Sequence, residues 1–193
     1  MPDMSHGFVG RMREVLDTSA VLIGADIDER YYHDLAGNVA AKPLAVVRPR
    51  TTEQVSGLLR LCHQEKVPVT TQGGMTGLVR GGLPNTNEIV LSTERMSAIE
   101  EVDTSAGVAV AQAGALLQRI QERVEEEDHI FPLDLGARGS CTFGGNISTN
   151  AGGNRVIRYG ITRDLILGLE VVTANGTVLH GCENTSRITL GST

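Results

Sequence analysis

Between Leu44 and Thr71 the chain reads as a strand, a helix and a strand in close succession, and no other stretch constrains the fold as strongly. "LAVVR" (Leu44–Arg48) is a short β-type run. In the following "PRTTEQVSGLLRLCHQEK", Thr51 is placed to cap a helix and Gln54, three residues on, completes a capping box. Val55, Leu58, Leu59 and Cys62 then share one helical face. "VPVTT" (Val67–Thr71) reads as the next strand. A strand–helix–strand unit of about 30 residues predicts parallel strands and a right-handed crossover. "EIVLS" (Glu88–Ser92) is a further strand candidate, while residues 1–38 carry only the weak pattern of a helix and a loop.

A glycine-rich segment follows the second strand directly. Gln72 to Gly82 holds five glycines, and a second cluster from Gly136 to Gly153 holds six, so eleven of the chain's 23 glycines lie within 29 residues. Ser140, Thr142, Asn146, Ser148, Thr149 and Asn150 fill the gaps of the second cluster. Ordered glycine is entropically costly, so a dense cluster needs a reason. One reason is tight turns. Another is an extended anionic ligand, because without Cβ atoms successive N–H groups can form a concave nest around phosphate oxygens. The loop's position after a strand favours a ligand, since open α/β sheets bind at the carboxyl ends of their strands. The net charge of -6 does not oppose this. Each hydrogen bond to a charged group contributes roughly 1.5–3 kcal/mol, and salt screens distant charges beyond about 10 Å.

The standard nucleotide motifs fit poorly. Gly74 to Gly81 lacks the Lys and Ser/Thr that end a P-loop, and "GGMTG" is neither GxGxxG nor followed by an acidic residue at dinucleotide-fold spacing. A nucleic-acid partner is disfavoured by 3% aromatics, no Trp and the absence of a basic stripe. No apolar run reaches the roughly 18 residues of a membrane span. The first residues, "MPDMSHGFVGRMREVLD", lack an apolar signal core and carry acids. Three separated cysteines (Cys62, Cys141, Cys182) without a CxxC suggest reduced thiols, and a cytoplasmic location is the expectation. His33, His63, His129 and His180 are scattered, without metal-site spacing.

A second lobe is expected from about residue 104. "GVAVAQAG" (Gly107–Gly114) looks like a strand, and Leu116, Leu117, Ile120 and Val124 form the apolar face of a helix. Glu125–Asp128 reads as solvated surface. "LILGLEVVTANGTVLHG" closes the ordered pattern, with Asn175-Gly176 as a hairpin signal in which both residues tolerate positive φ.

Six stretches in order carry a family resemblance: "VVRPRTTEQV", "QGGMTG", "PLDLGARGSC", "GGNISTNAGG", "RYG" and "LGLEVVTANGTVL". From about Pro43 to Leu179 the chain resembles the flavin domain of the vanillyl-alcohol oxidase / p-cresol methylhydroxylase (PCMH) flavoproteins, and within it the D-2-hydroxy-acid dehydrogenase branch: D-2-hydroxyglutarate dehydrogenase, D-lactate dehydrogenase and the glycolate oxidase flavin subunit. The resemblance implies an α+β fold of two lobes holding FAD between them. The first lobe, about 43–103, would contain the βαβ unit in a small sheet. The second, about 104–182, would be a mixed sheet with flanking helices. Residues 1–42 would form an extension.

By the same resemblance, Gln72, Gly73, Gly74, Met75, Thr76 and Gly77 would wrap the FAD diphosphate. Pro132, Gly136, Ser140, Gly144, Gly145, Asn150, Ala151, Gly152 and Gly153 would line the diphosphate, ribityl chain and ring edge. Gln72 stands where the family usually has Arg, removing a possible charge contact. Met75 stands where covalent members often have His, and Cys141 lies near a region where some relatives attach flavin through sulfur. The expectation here is non-covalent FAD and a packing role for Cys141. Tyr159, in "RYG", is placed to pack near the flavin.

The resemblance further implies a glycine-rich closing segment and a substrate domain beyond Thr193, so the chain is expected to be an N-terminal fragment without catalytic residues or metal of its own. The intact enzyme would oxidise a D-2-hydroxy acid and pass electrons to an acceptor that the sequence does not name. The alternatives are an inactive FAD-binding or partner-docking remnant, a non-flavin α/β domain whose glycines only turn the chain, and another flavoenzyme branch such as an enolpyruvyl-sugar reductase or sugar-lactone oxidase.

Overall fold

A computed structural model describes residues 6–181, 187–189 and 191–192. They divide into two compact units, Met1–Arg95 with Val172–Leu179, and Met96–Val171 with His180–Thr193.

In the first unit, α1 (His6–Val15) and α2 (Thr52–Glu65) accompany a sheet of β1 (Val21–Ile23), β2 (Ala45–Val47), β3 (Val69–Gln72) and β4 (Ile89–Ser92), in the order β1-β2-β4-β3. β2, β4 and β3 are mutually parallel, and β1 joins β2 antiparallel. The expected strand–helix–strand unit is therefore present, but β4 sits between its two strands. Both faces of the central strands are covered. Ala45, Val47, Ile89 and Leu91 face a cluster with Met12, Leu58 and Cys62. Val46 and Val90, one residue out of phase, meet Ile27 and Tyr31. Burial on two sides is why these strands read as unbroken apolar runs.

Thr51 caps α2, its Oγ1 accepting from Gln54 N at 3.3 Å. The other half of the capping box is displaced by one residue: Gln54 Oε1 accepts from Arg50 N at 2.7 Å. Lys66 ends the helix in the left-handed conformation at φ 56°. β1 has no counterpart in the sequence reading.

In the second unit, β5 (Ile99–Asp103), β6 (Val108–Ala111), β8 (Ile166–Gly168) and β11 (Arg187–Thr189) form an antiparallel sheet in the order β5-β6-β11-β8. α3 (Leu117–Glu125) buries Leu117, Ile120 and Val124, as its periodicity predicts. The unit also holds β7 (His129–Ile130), α4 (Phe143–Ser148) and α5 (Val156–Tyr159). Phe131 and Phe143 meet edge to face at the centre of this core, 6.0 Å apart at 84°. Glu125–Asp128 is exposed.

A two-stranded ribbon of β9 (Glu170–Val172) and β10 (Val178–His180) carries the Asn-Gly signal. Only Gly176 has positive φ, at 82°. Gly176 N donates to Thr173 O at 2.8 Å and Thr173 N to Thr177 O at 2.9 Å. This is a three-residue loop ending in a left-handed glycine, not the two-residue turn that would need two such residues. Asn175 instead accepts from Thr177 N through its Oδ1. The ordered pattern also continues past Gly181, since β11 and β12 (Gly191–Ser192) pair with β6, β8 and β7.

Candidate functional site

The first glycine segment leaves the sheet at β3, an edge strand. Gly73 to Thr76 are half-buried, and Gly77 to Gly81 are exposed. Met75 adopts φ 54° and Arg80 φ 63°. Among the described residues, none accepts a hydrogen bond from the amides of Gly73, Gly74, Met75, Thr76 or Gly77. Half-buried N–H groups without partners are costly, and a left-handed residue in such a run turns neighbouring N–H groups toward a common side. The segment thus offers donors for an anion.

Gln72 behaves differently from its five neighbours. It is 2% exposed, and its Nε2 donates to Tyr31 O and to Gly82 O, each at 2.7 Å. Its carbonyl accepts from Thr93 N at 3.0 Å and Thr93 Oγ1 at 3.1 Å. The side chain is spent on the protein's own backbone. At Gly82 a Cβ would stand 2.7 Å from Met75 Sδ, near the end of a flexible side chain, so the two residues pack against each other.

The second segment is not uniform. A Cβ at Gly144 would meet Ala113 Cβ at 2.8 Å and Ala113 O at 2.9 Å. Gly144 N donates to that carbonyl at 2.7 Å, so this glycine lets α4 lie directly on the turn after β6. Gly153, at φ 105°, approaches Asp134, and Asn154 N donates to Asp134 O at 3.0 Å. Gly136 and Ser140 are exposed, with open space at Gly136. A Cβ at Gly145 would stand 3.1 Å from Thr142 Oγ1, and one at Gly152 would meet only Val156, at 4.0 Å. Pro132 is buried.

Asn150 is left-handed at φ 48°, and its Oδ1 accepts from Arg163 N at 3.1 Å. Ala151 is fixed by Asn146 O on one side and Thr162 N on the other. The sequence reading missed Tyr31, Ala113, Asp134 and Thr162, which hold the two segments through main-chain contacts that no motif records. Thr142, named in the sequence reading only as a residue filling the second cluster, has a buried hydroxyl with no hydrogen-bond partner among the described residues.

Cys141 is 3% exposed and receives Asn146 Nδ2 at 3.5 Å, and burial pushes its thiol up. Burial raises the Cys62 thiol to about 11. Only the thiolate attacks, so at pH 8 iodoacetamide should leave both residues unmodified in the folded chain and alkylate both in urea, as read by peptide mass. Modification of native Cys141 would overturn its packing role. Cys182 lies outside the described residues.

Tyr159 is half-buried with the Arg158 guanidinium 5.1 Å from its ring centre. His180 Nδ1 lies 3.2 Å from Glu170 Oε2. Among the described residues no cluster of three metal-ligating side chains occurs, and no helix is long and apolar enough to cross a membrane. A depression in the second unit is lined by Ile99, Leu116, Arg119 and Arg123, and by none of the glycine-segment residues. Its arginines are already paired with glutamates, so it offers no uncompensated charge.

A family model described as "FAD binding domain" matches residues 43–181. D-2-hydroxyglutarate dehydrogenase, mitochondrial, from Bos taurus is 49% identical over 147 residues, which is 76% of this chain and 27% of that protein. The protein of the same name from Danio rerio is 51% identical over 135 residues, 70% of this chain and 25% of its own length. The chain thus spans about a quarter of the length of these relatives. Among solved structures, alkyldihydroxyacetonephosphate synthase superposes with a TM-score of 0.88 at 17% identity, covering 99% of this chain and 41% of that one. p-Cresol methylhydroxylase superposes at 0.80 and 21% identity, covering 96% and 43%. Both likenesses are likenesses of fold.

Proposed function

The chain belongs to the FAD-binding domain family, has the PCMH-type α+β fold and takes FAD as its cofactor, and from that premise we propose that it is the cofactor-holding part of a dehydrogenase for D-2-hydroxy acids. The observation that carries the proposal is the run of amides, Gly73 to Gly77, from which no described residue accepts a hydrogen bond, inside the matched region and at the end of β3. These are main-chain donors, suited to diphosphate oxygens. Gly136, Ser140 and Gly152 supply the open positions of the second segment, Gly145 lies close against the Thr142 hydroxyl, and Pro132, Gly144, Asn150, Ala151 and Gly153 hold the segment in shape. Residues 43–193 form the cofactor-binding part in this reading, and 1–42 an extension.

The bound flavin would supply the acceptor for a hydride leaving the carbinol carbon of the hydroxy acid to N5. What this chain contributes is grip and orientation. We place the substrate in the class of 2-hydroxyglutarate, lactate or glycolate, on the strength of the identity to the two dehydrogenases. Turnover is assigned to a protein with the rest of those relatives' length, so the isolated chain should bind FAD without oxidising hydroxy acids. A cytoplasmic location remains part of the reading and rests on the free Cys62 and Cys141.

The test is FAD titration of the folded chain against a Gly74→Val, Gly145→Val pair, followed by flavin fluorescence. Losing one charge-assisted contact of roughly 1.5–3 kcal/mol predicts about tenfold weaker binding or more. Equal affinity in the two proteins would defeat the assignment. Acid precipitation should release all flavin into the supernatant, since attachment is non-covalent.

A further inference from the structure

We propose that Gln72 is a clasp, a positioning residue whose buried side-chain amide pins both ends of the 73–82 loop and so sets how tightly the chain holds FAD. The proposal rests on the cofactor reading above but adds a residue that acts through the loop rather than on the ligand.

A primary amide nitrogen carries two diverging N–H bonds. Gln72 uses one on Tyr31 O, upstream of the loop's strand, and the other on Gly82 O, at the loop's far end. With Gln72 itself at the loop's start, one nitrogen joins three separate points of the chain. The fit is specific. Glutamate would set a carboxylate against two carbonyl oxygens, and methionine, of similar volume, has no donor.

The Tyr31 end is itself anchored. Tyr31 is 4% exposed and packs with Ile27, Val46 and Val90. Its hydroxyl donates to Glu94 at 2.9 Å, and that carboxylate also takes Arg30 at 3.0 Å and Arg48 at 3.3 Å. A second tie runs from Leu35 N to Met75 O at 3.3 Å. Tyr31 and Leu35 both precede the matched region 43–181, so the extension shapes the loop that the family domain uses.

The energetic logic is preorganisation. Five glycines in eleven residues give the loop many conformations to lose. A loop already held in one shape gives up less on binding. The Gly73–Gly77 amides, to which no described residue offers an acceptor, can then be held in place before the ligand arrives.

The test uses the 193-residue chain and the variants Gln72→Met and Gln72→Glu. Arg80, exposed within the loop, provides a tryptic site, and Arg119, 75% exposed on α3 in the other unit, a reference site. Without FAD, both variants should speed cleavage after Arg80 by about tenfold or more while leaving cleavage after Arg119 within about twofold, because the opening is local. FAD should bind about tenfold more weakly to each, as expected for losing two buried hydrogen bonds. Unchanged cleavage after Arg80, or equal acceleration at both sites, would overturn the clasp, as would undiminished FAD affinity.

Should the variants not fold, the unsubstituted chain still decides. Its two Gln72 side-chain amide protons should exchange about a hundredfold slower than those of an exposed glutamine, and exchange at the free rate would overturn the proposal. Failure of the unsubstituted chain to take FAD would defeat the cofactor reading alone, since cleavage and exchange are read without flavin.

Discussion

Alanine at Gly153 should destabilise the chain by about 2–6 kcal/mol, while alanine at Gly136, in the same glycine segment, should change stability by less than about 1 kcal/mol. A Cβ at Gly153 would stand 2.2 Å from Asp134 O and 3.0 Å from its carbonyl carbon. Those are backbone atoms, with no flexible end to swing aside. Asn154 N holds the same carbonyl at 3.0 Å, so relief would break a hydrogen bond. The φ of 105° adds its own penalty, because it lies outside even the left-handed region that L residues occasionally visit. Gly136 has open space at the Cβ position and no positive φ. Urea unfolding of the FAD-free chain, followed by circular dichroism, checks both. Equal midpoints for the two variants would show that the approach to Asp134 does not constrain the fold.

That contrast marks where sequence reading stops. Both clusters were visible as clusters, but glycine letters look alike. What separates Gly153 from Gly136 is its contact with Asp134, nineteen positions upstream of Gly153 and set by tertiary packing. β2 and β4 are legible as unbroken apolar runs buried on both sides, α2 through the face that buries Leu58 and Cys62, and the Thr51 cap through its local spacing, whereas β3, only partly buried, is legible as the β-type run after the helix. The insertion of β4 between β2 and β3 was not legible, since strand order is decided by partners far along the chain. β5 hid because Glu100 and Glu101 face solvent and dilute its pattern. Gln72 was read as an arginine's absence, a loss of charge. In the fold its neutral amide has a purpose that an arginine comparison conceals, and its partner Tyr31 lies 41 positions away.

The second large effect concerns the aromatic pair in the core of the second unit. The chain has three phenylalanines and no tryptophan, and two of the three, Phe131 and Phe143, meet in this core. Phe143 is fully buried and is the first residue of α4, with its amide donating to Ala115 O at 2.8 Å. Truncating it to alanine should cost about 3–5 kcal/mol through lost burial and the cavity left behind. That figure includes the edge-to-face contact with Phe131, itself about 0.5–1.5 kcal/mol. Leucine at the same position keeps most of the volume and should cost about 1.5 kcal/mol or less.

Chemical denaturation of the two variants, side by side, measures the difference. Since α4 carries Gly144 and Gly145, loosening it should also weaken FAD binding at temperatures where Phe143→Ala is still folded, with Phe143→Leu intermediate. A stability loss under about 1 kcal/mol for the alanine variant would mean that the core collapses around the gap. The second glycine segment would then owe its shape to the Gly144–Ala113 and Gly153–Asp134 backbone contacts rather than to the aromatic pair beneath it.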